Sequence, residues 1–62
     1  MKFNNHNEDF KILHSMKDLP LTCDLKSLIF MESIVENDIT YNLYEFTSQS
    51  NFKFYFAIGY RM

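Results

Sequence analysis

Sixty-two residues with eight carboxylates against six lysines and arginines, one cysteine, one glycine and one proline describe a single small, weakly acidic domain, of which 18% is aromatic. A chain of this size buries only about 60% of the surface its unfolded state exposes, and Cys23, being alone, excludes an internal disulfide as a supplement. Many aromatics with little Gly or Pro exclude a linker or a disordered tail, and the longest apolar runs, Leu28 to Met31 and Phe54 to Ile58, are far too short to span a membrane.

The opening residues MKFNNHNEDF contain no apolar stretch of the kind a secretory leader needs. With the lone thiol, this predicts a cytoplasmic protein. Charge is unevenly placed: seven carboxylates face four lysines in residues 1 to 38, whereas Glu45 faces Lys53 and Arg61 in the remainder. That is too weak an imbalance for a polyanion mimic or for a duplex binder with many phosphate contacts. Phe, Tyr, Met, Ile, Asn and Lys, whose codons are AT-rich, make up half of the chain. This bias is shared by phages, plasmids and low-GC bacteria.

In chain order, Asn5 and Glu8 fit a capping box. Phe10, Ile12, Leu13, Met16 and Leu19 then fall on one arc of a helical wheel, and Pro20 ends the pattern. The spacing predicts a helix over 6–19, with a strand as its rival because Phe10, Ile12, His14 and Met16 also alternate. The segment 22–37 offers a second helix: Cys23, Ser27, Phe30 and Ile34 form a stripe, Thr22 can cap it and Asn37 can end it. Its rival is a hairpin over 28–47 with Asn37-Asp38 as the tight turn, and the helical reading leaves Leu25 and Ile29 exposed.

The last third alternates with period two, from Ile39 to Thr47 and from Phe52 to Arg61, around the polar link Ser48-Gln49-Ser50-Asn51. It reads as an antiparallel hairpin in which Asn51 adopts the left-handed conformation. Pairing Thr47 with Phe52 sets Leu43 opposite Phe56, Tyr41 opposite Ile58 and Ile39 opposite Tyr60 on an apolar face. The other face then carries Tyr44 opposite Tyr55 and Phe46 opposite Lys53, with Arg61 nearby. The expected fold is therefore α+β: two N-terminal helices packed on a C-terminal hairpin, or β-α-β-β if the N-terminal segment is a third strand. The expected core is Phe10, Leu13, Met16, Leu28, Phe30, Met31, Ile34, Leu43, Phe54, Phe56 and Ile58.

Catalytic signals are thin. Cys23 with His6 or His14 is the minimal pair for thiol chemistry, but no motif surrounds it, and an apolar stripe is where an inert buried thiol belongs. The same three residues lack the ligand spacing of a zinc site. Glu32, Glu36 and Asp38 read as a solvated face before they read as an acid–base pair. No phosphate-binding loop exists in a chain whose sole glycine is Gly59. We therefore expect no enzyme, no cofactor and no metal.

The residues with the most binding character are Tyr44, Phe46, Lys53, Tyr55 and Arg61. Rings and cations on one face suit burial against a second copy in a homodimer, docking of a partner protein, or stacking of unpaired bases with phosphate contacts. The expected function is a small protein-binding module, borne by a phage or mobile element, that blocks a host protein such as a defence nuclease in the manner of an anti-CRISPR protein. A regulator that binds single-stranded nucleic acid through the same face is the alternative.

Overall fold

The computed structural model describes residues 1–21 and 23–61. It is a four-stranded mixed sheet built from β1 (Lys11–Leu13), β2 (Leu28–Glu36), β3 (Ile39–Thr47) and β4 (Lys53–Arg61) in the spatial order β1-β4-β3-β2. β2, β3 and β4 form an antiparallel meander, and β1 adds to the far side of β4 in parallel. The only helical pieces among the described residues are two 3-10 turns, Met16–Asp18 and Leu25–Ser27.

This overturns the expectation of two helices packed on a hairpin, and the β-α-β-β alternative with it. Each helical segment fails for a local reason. In the first, Asn5 does not cap a helix; it stands at φ 70° in a turn, and residues 1–10 fold back on themselves. The Phe10 N–H donates to the Met1 carbonyl at 2.7 Å, while the Met1 amino group donates to the Phe10 carbonyl and pairs with Asp9. Ser15 and Asp24 then accept backbone N–H bonds from Lys17 and Lys26, which closes the two tight turns.

The second segment is strand β2 because Asn37 and Asp38 both take positive φ, 54° and 65°. This is the two-residue turn whose twist matches a right-handed hairpin. The proposed cap Thr22 lies outside the described residues. A bulge between Phe30 and Glu32 places Met31 and Glu32 together opposite Leu43. The extra residue breaks the period-two pattern and leaves Met31 and Ile34, three apart, on the same face, so a bulged strand imitates a helical stripe.

The hairpin β3–β4 is as expected except in register. Thr47 pairs with Lys53, not Phe52, because the connection has five residues, 48–52. Ser48 N–H donates to the Phe52 carbonyl at 2.8 Å, and Asn51 does stand in the left-handed region at φ 65°. A slip of one residue moves every β4 side chain to the opposite face relative to β3.

Each sheet face is covered by irregular chain. On one face Tyr41, Leu43 and Ala57 are capped by Phe3 and Phe10 from residues 1–10, with Ile12, Met31, Ile34, Ile39 and Tyr55 around them. Edge-on aromatic contacts join Phe3 to Phe10, Phe3 to Tyr41 and Phe10 to Tyr55 at 5.2–5.5 Å. On the other face Leu13, Phe46, Phe56 and Ile58 are covered by Leu19 and Cys23 from the segment that joins β1 to β2. That segment crosses the whole sheet, since β1 and β2 are its two edges. Of the expected core, Met16, Phe30 and Phe54 are exposed, whereas Phe3, Tyr41, Phe46 and Ala57 are buried. Among the described residues no helix is long and apolar enough to cross a membrane.

Candidate binding face

The sheet divides the five residues expected to act together. Side chains of directly paired residues share a face. Tyr44 and Phe46 therefore lie with Phe56 and Phe54 on the Cys23 side, while Lys53, Tyr55 and Arg61 lie with Thr47, Glu45 and Ile39 on the Phe10 side. Phe46 is buried and Tyr44 half-buried. Tyr55 packs its ring on Phe10 as part of the core. Lys53 reaches towards Glu45, with Nζ 3.8 Å from its carboxylate, and Arg61 stands at the far end of β4. The juxtaposition of rings and cations needed to stack bases while meeting phosphates is thus taken apart by the register.

What the sheet assembles instead is an aromatic strip on the Cys23 side. Phe30 on β2 meets Tyr44 on β3 edge-on at 5.6 Å. Phe46 on β3 stacks with Phe54 on β4 at 6.3 Å. Both are directly opposed cross-strand pairs, where ring contacts of this kind are favourable. Phe30 and Phe54 stay 55% and 48% exposed, although the pairing aligns them with half-buried Tyr44 and buried Phe46. Beside them an apolar recess of about 110 Å3 is lined by Pro20, Cys23, Phe46, Phe54 and Phe56. It adjoins a wider cleft floored by Phe46 and Phe54 and rimmed by Asp24, Ser27, Ser48, Gln49 and Ser50. Leu21 and Leu25, neighbours in sequence of the wall residues Pro20 and Asp24, are exposed as well.

Sequence reasoning assigned Phe30 and Phe54 to the core. For Phe54 the missed signal is the five-residue loop, because counting Phe52 as loop sets Phe54 opposite Phe46; for Phe30 it is the Asn37-Asp38 turn, which pairs β2 with β3 and sets Phe30 opposite Tyr44.

The Cys23 thiol is held above its ordinary pKa, first by burial and then by the neighbouring Asp24 charge, so it is a protonated, weak nucleophile at neutral pH. His6 does not face it: its Nε2 pairs with Glu32, and Glu8 lies 3.8 Å from Nδ1. Among the described residues no cluster of three His, Cys, Asp or Glu side chains could hold a metal ion. Comparison with known protein families, with characterised proteins and with solved structures finds no match to this chain.

Proposed function

We propose that the chain is a non-enzymatic protein-binding module that docks a partner protein on the Phe30/Tyr44/Phe46/Phe54 strip. The supporting observation is that Phe54, a wall of the recess, remains half-exposed, and that Phe30 is exposed on the same sheet face beside Tyr44, so that an apolar surface adjoins a polar-rimmed cleft. Aromatic residues with an adjoining pocket are the usual anchors of an interface. In this reading the partner inserts an apolar side chain between Pro20, Cys23 and Phe54.

The AT-rich composition extends the proposal to a phage or mobile-element inhibitor that occludes a host protein, the class to which anti-CRISPR proteins belong. The test is a quantitative capture from extract of the native host, with and without nuclease, using the wild-type chain and the variants Phe30→Ser and Phe54→Ser. A stoichiometric partner that survives nuclease and binds each variant at least tenfold more weakly supports the module. Equal recovery on wild type and variants overturns the assignment of this face, and recovery abolished by nuclease replaces it with a nucleic-acid reading. Loss of the captured partner's activity on titration with the module tests the inhibitor class.

A further inference from the structure

The two edges of the sheet are unlike. β1 is three residues long and carries Lys11, and a short, charged edge strand of that kind offers an incoming chain little backbone to pair with. β2 is nine residues long, has no strand on its outer side among the described residues, and contains neither lysine, arginine nor proline. A bulge at Phe30/Glu32 interrupts it, and beyond the bulge Glu32 to Glu36 continue in unbroken register with β3.

The side chains along that open stretch define what can lie beside it. Glu32, Ile34 and Glu36 point to the Phe10 face, aligned with Leu43, Tyr41 and Ile39, while Ser33 and Val35 point to the opposite face. Val35 is 71% exposed. Glu32 has His6 as its partner, whereas neither Glu36 nor Asp38 has a basic group within ion-pair distance among the described residues. A second copy pairing antiparallel over the same five residues, Glu-Ser-Ile-Val-Glu, sets Glu32 directly against Glu36 at both ends of the ladder. Like charges in that position are destabilising.

We infer that the outer edge of β2 is a strand-addition site for an extended basic segment of the partner protein, with cations at positions i and i+4 flanking an apolar centre. Antiparallel pairing then places the cations against Glu36 and Glu32, and β-branched residues against Val35, Ile34 and Ser33. Main-chain bonds supply the affinity and the alternating side chains the selectivity. The inference rests on the binding-module reading and specifies the partner's chemistry.

The probe is a capped nine-residue peptide centred on Lys-Val-Ile-Thr-Lys, titrated into the full-length 15N-labelled chain. On saturation, amide exchange of the outward N–H groups between Glu32 and Glu36 slows at least tenfold. Replacing both lysines by glutamate weakens binding tenfold or more, as does methylating every second backbone nitrogen in the phase that faces β2. Glu36→Lys weakens the lysine peptide and strengthens the glutamate peptide; its own amide exchange spectrum reports that the fold is retained. Equal binding of the methylated peptides in both phases, protection confined to β1 or to the Phe54 recess, or no binding overturns the inference. If the captured partner depends on Phe54 but is indifferent to Glu36→Lys, strand addition falls and the module stands; if it is indifferent to Phe30 and Phe54 while the peptide protects β2, the aromatic strip falls and strand addition stands.

Discussion

The ring of Tyr41 lies over Gly59, directly opposite it on β4, so that a Cβ on Gly59 would stand 2.9 Å from Tyr41 Cε1 and 3.4 Å from the Ile39 side chain. The backbone of Gly59 is in ordinary extended geometry, and what requires glycine is the space beneath a buried ring. Gly59→Ala is expected to cost roughly 1–3 kcal/mol by overpacking, read from urea unfolding. The double change with Tyr41→Val removes the clash and is expected to recover part of that loss, so the two effects will not add.

Phe10 belongs to an irregular segment yet is almost completely buried, in contact with Phe3, His6 and Tyr55. Phe10→Ala should therefore behave as a core truncation, costing about 3–5 kcal/mol. In a domain this small that is a large share of the total. Circular dichroism with thermal melting will show a chain largely unfolded at 37 °C, whereas Phe52→Ser, an exposed loop change, will shift stability by less than about 0.5 kcal/mol.

The β2–β3 turn uses Asn37 and Asp38 where Asn-Gly is the most favourable pair. Asn tolerates the left-handed region better than most residues, and Asp38 retains part of the steric cost there. Asp38→Gly is expected to stabilise the fold by about 0.5 kcal/mol, a rise in Tm of roughly 2–4 °C in a domain of this size. Asn37→Val should destabilise it, since a β-branched residue resists positive φ. Differential calorimetry on the three proteins checks both signs.

Burial and Asp24 raise the Cys23 pKa in the folded chain. The folded state consequently holds the thiol proton more tightly than the unfolded state does. The associated stability is present in full below the unfolded thiol pKa and is lost as pH rises through the folded value. Alkylation of the native protein should show a pH midpoint above that of the urea-unfolded chain, and Cys23→Ala should flatten the alkaline fall in stability.

How much of this was legible can be traced to a few residues. The C-terminal strands followed from strict alternation, and the left-handed Asn51 from its residue type. The helices did not survive because the feature that disguises β2 is non-local. A bulge at Met31 exists only with respect to Leu43, whereas the Asn37-Asp38 turn is legible as the rival hairpin over 28–47, which the structure shows, and ranks below the helix because the bulge breaks the period of β2. β1 reads only as the rival to a helix, since Ile12 and Leu13 are both apolar and pack on opposite faces of the sheet, which blurs the alternation of Phe10, Ile12, His14 and Met16. The binding face was lost to one loop residue. Counting Phe52 as strand kept Tyr44, Lys53 and Tyr55 together, and counting it as loop separates them and sets Phe54 beside Phe46; Phe30 joins Tyr44 only once 28–36 is read as a strand paired with β3.

The parallel pairing of β1 with β4 sets an order of events for folding. β2, β3 and β4 are joined by short turns and can zip together locally, whereas Lys11 must wait for Phe56, and the segment crossing the sheet can settle only on a meander already in place. Contacts of such long sequence separation are slow to close and form late. Truncations at Phe10 or Leu13 should accordingly accelerate unfolding and leave the folding rate nearly unchanged, while Leu43→Ala, at the centre of the meander, slows folding itself. Stopped-flow measurements on these variants separate the two. On a translating ribosome the first third of the chain would then spend the synthesis of the remainder unpaired, with Phe3 and Phe10 open to any holdase that binds apolar segments.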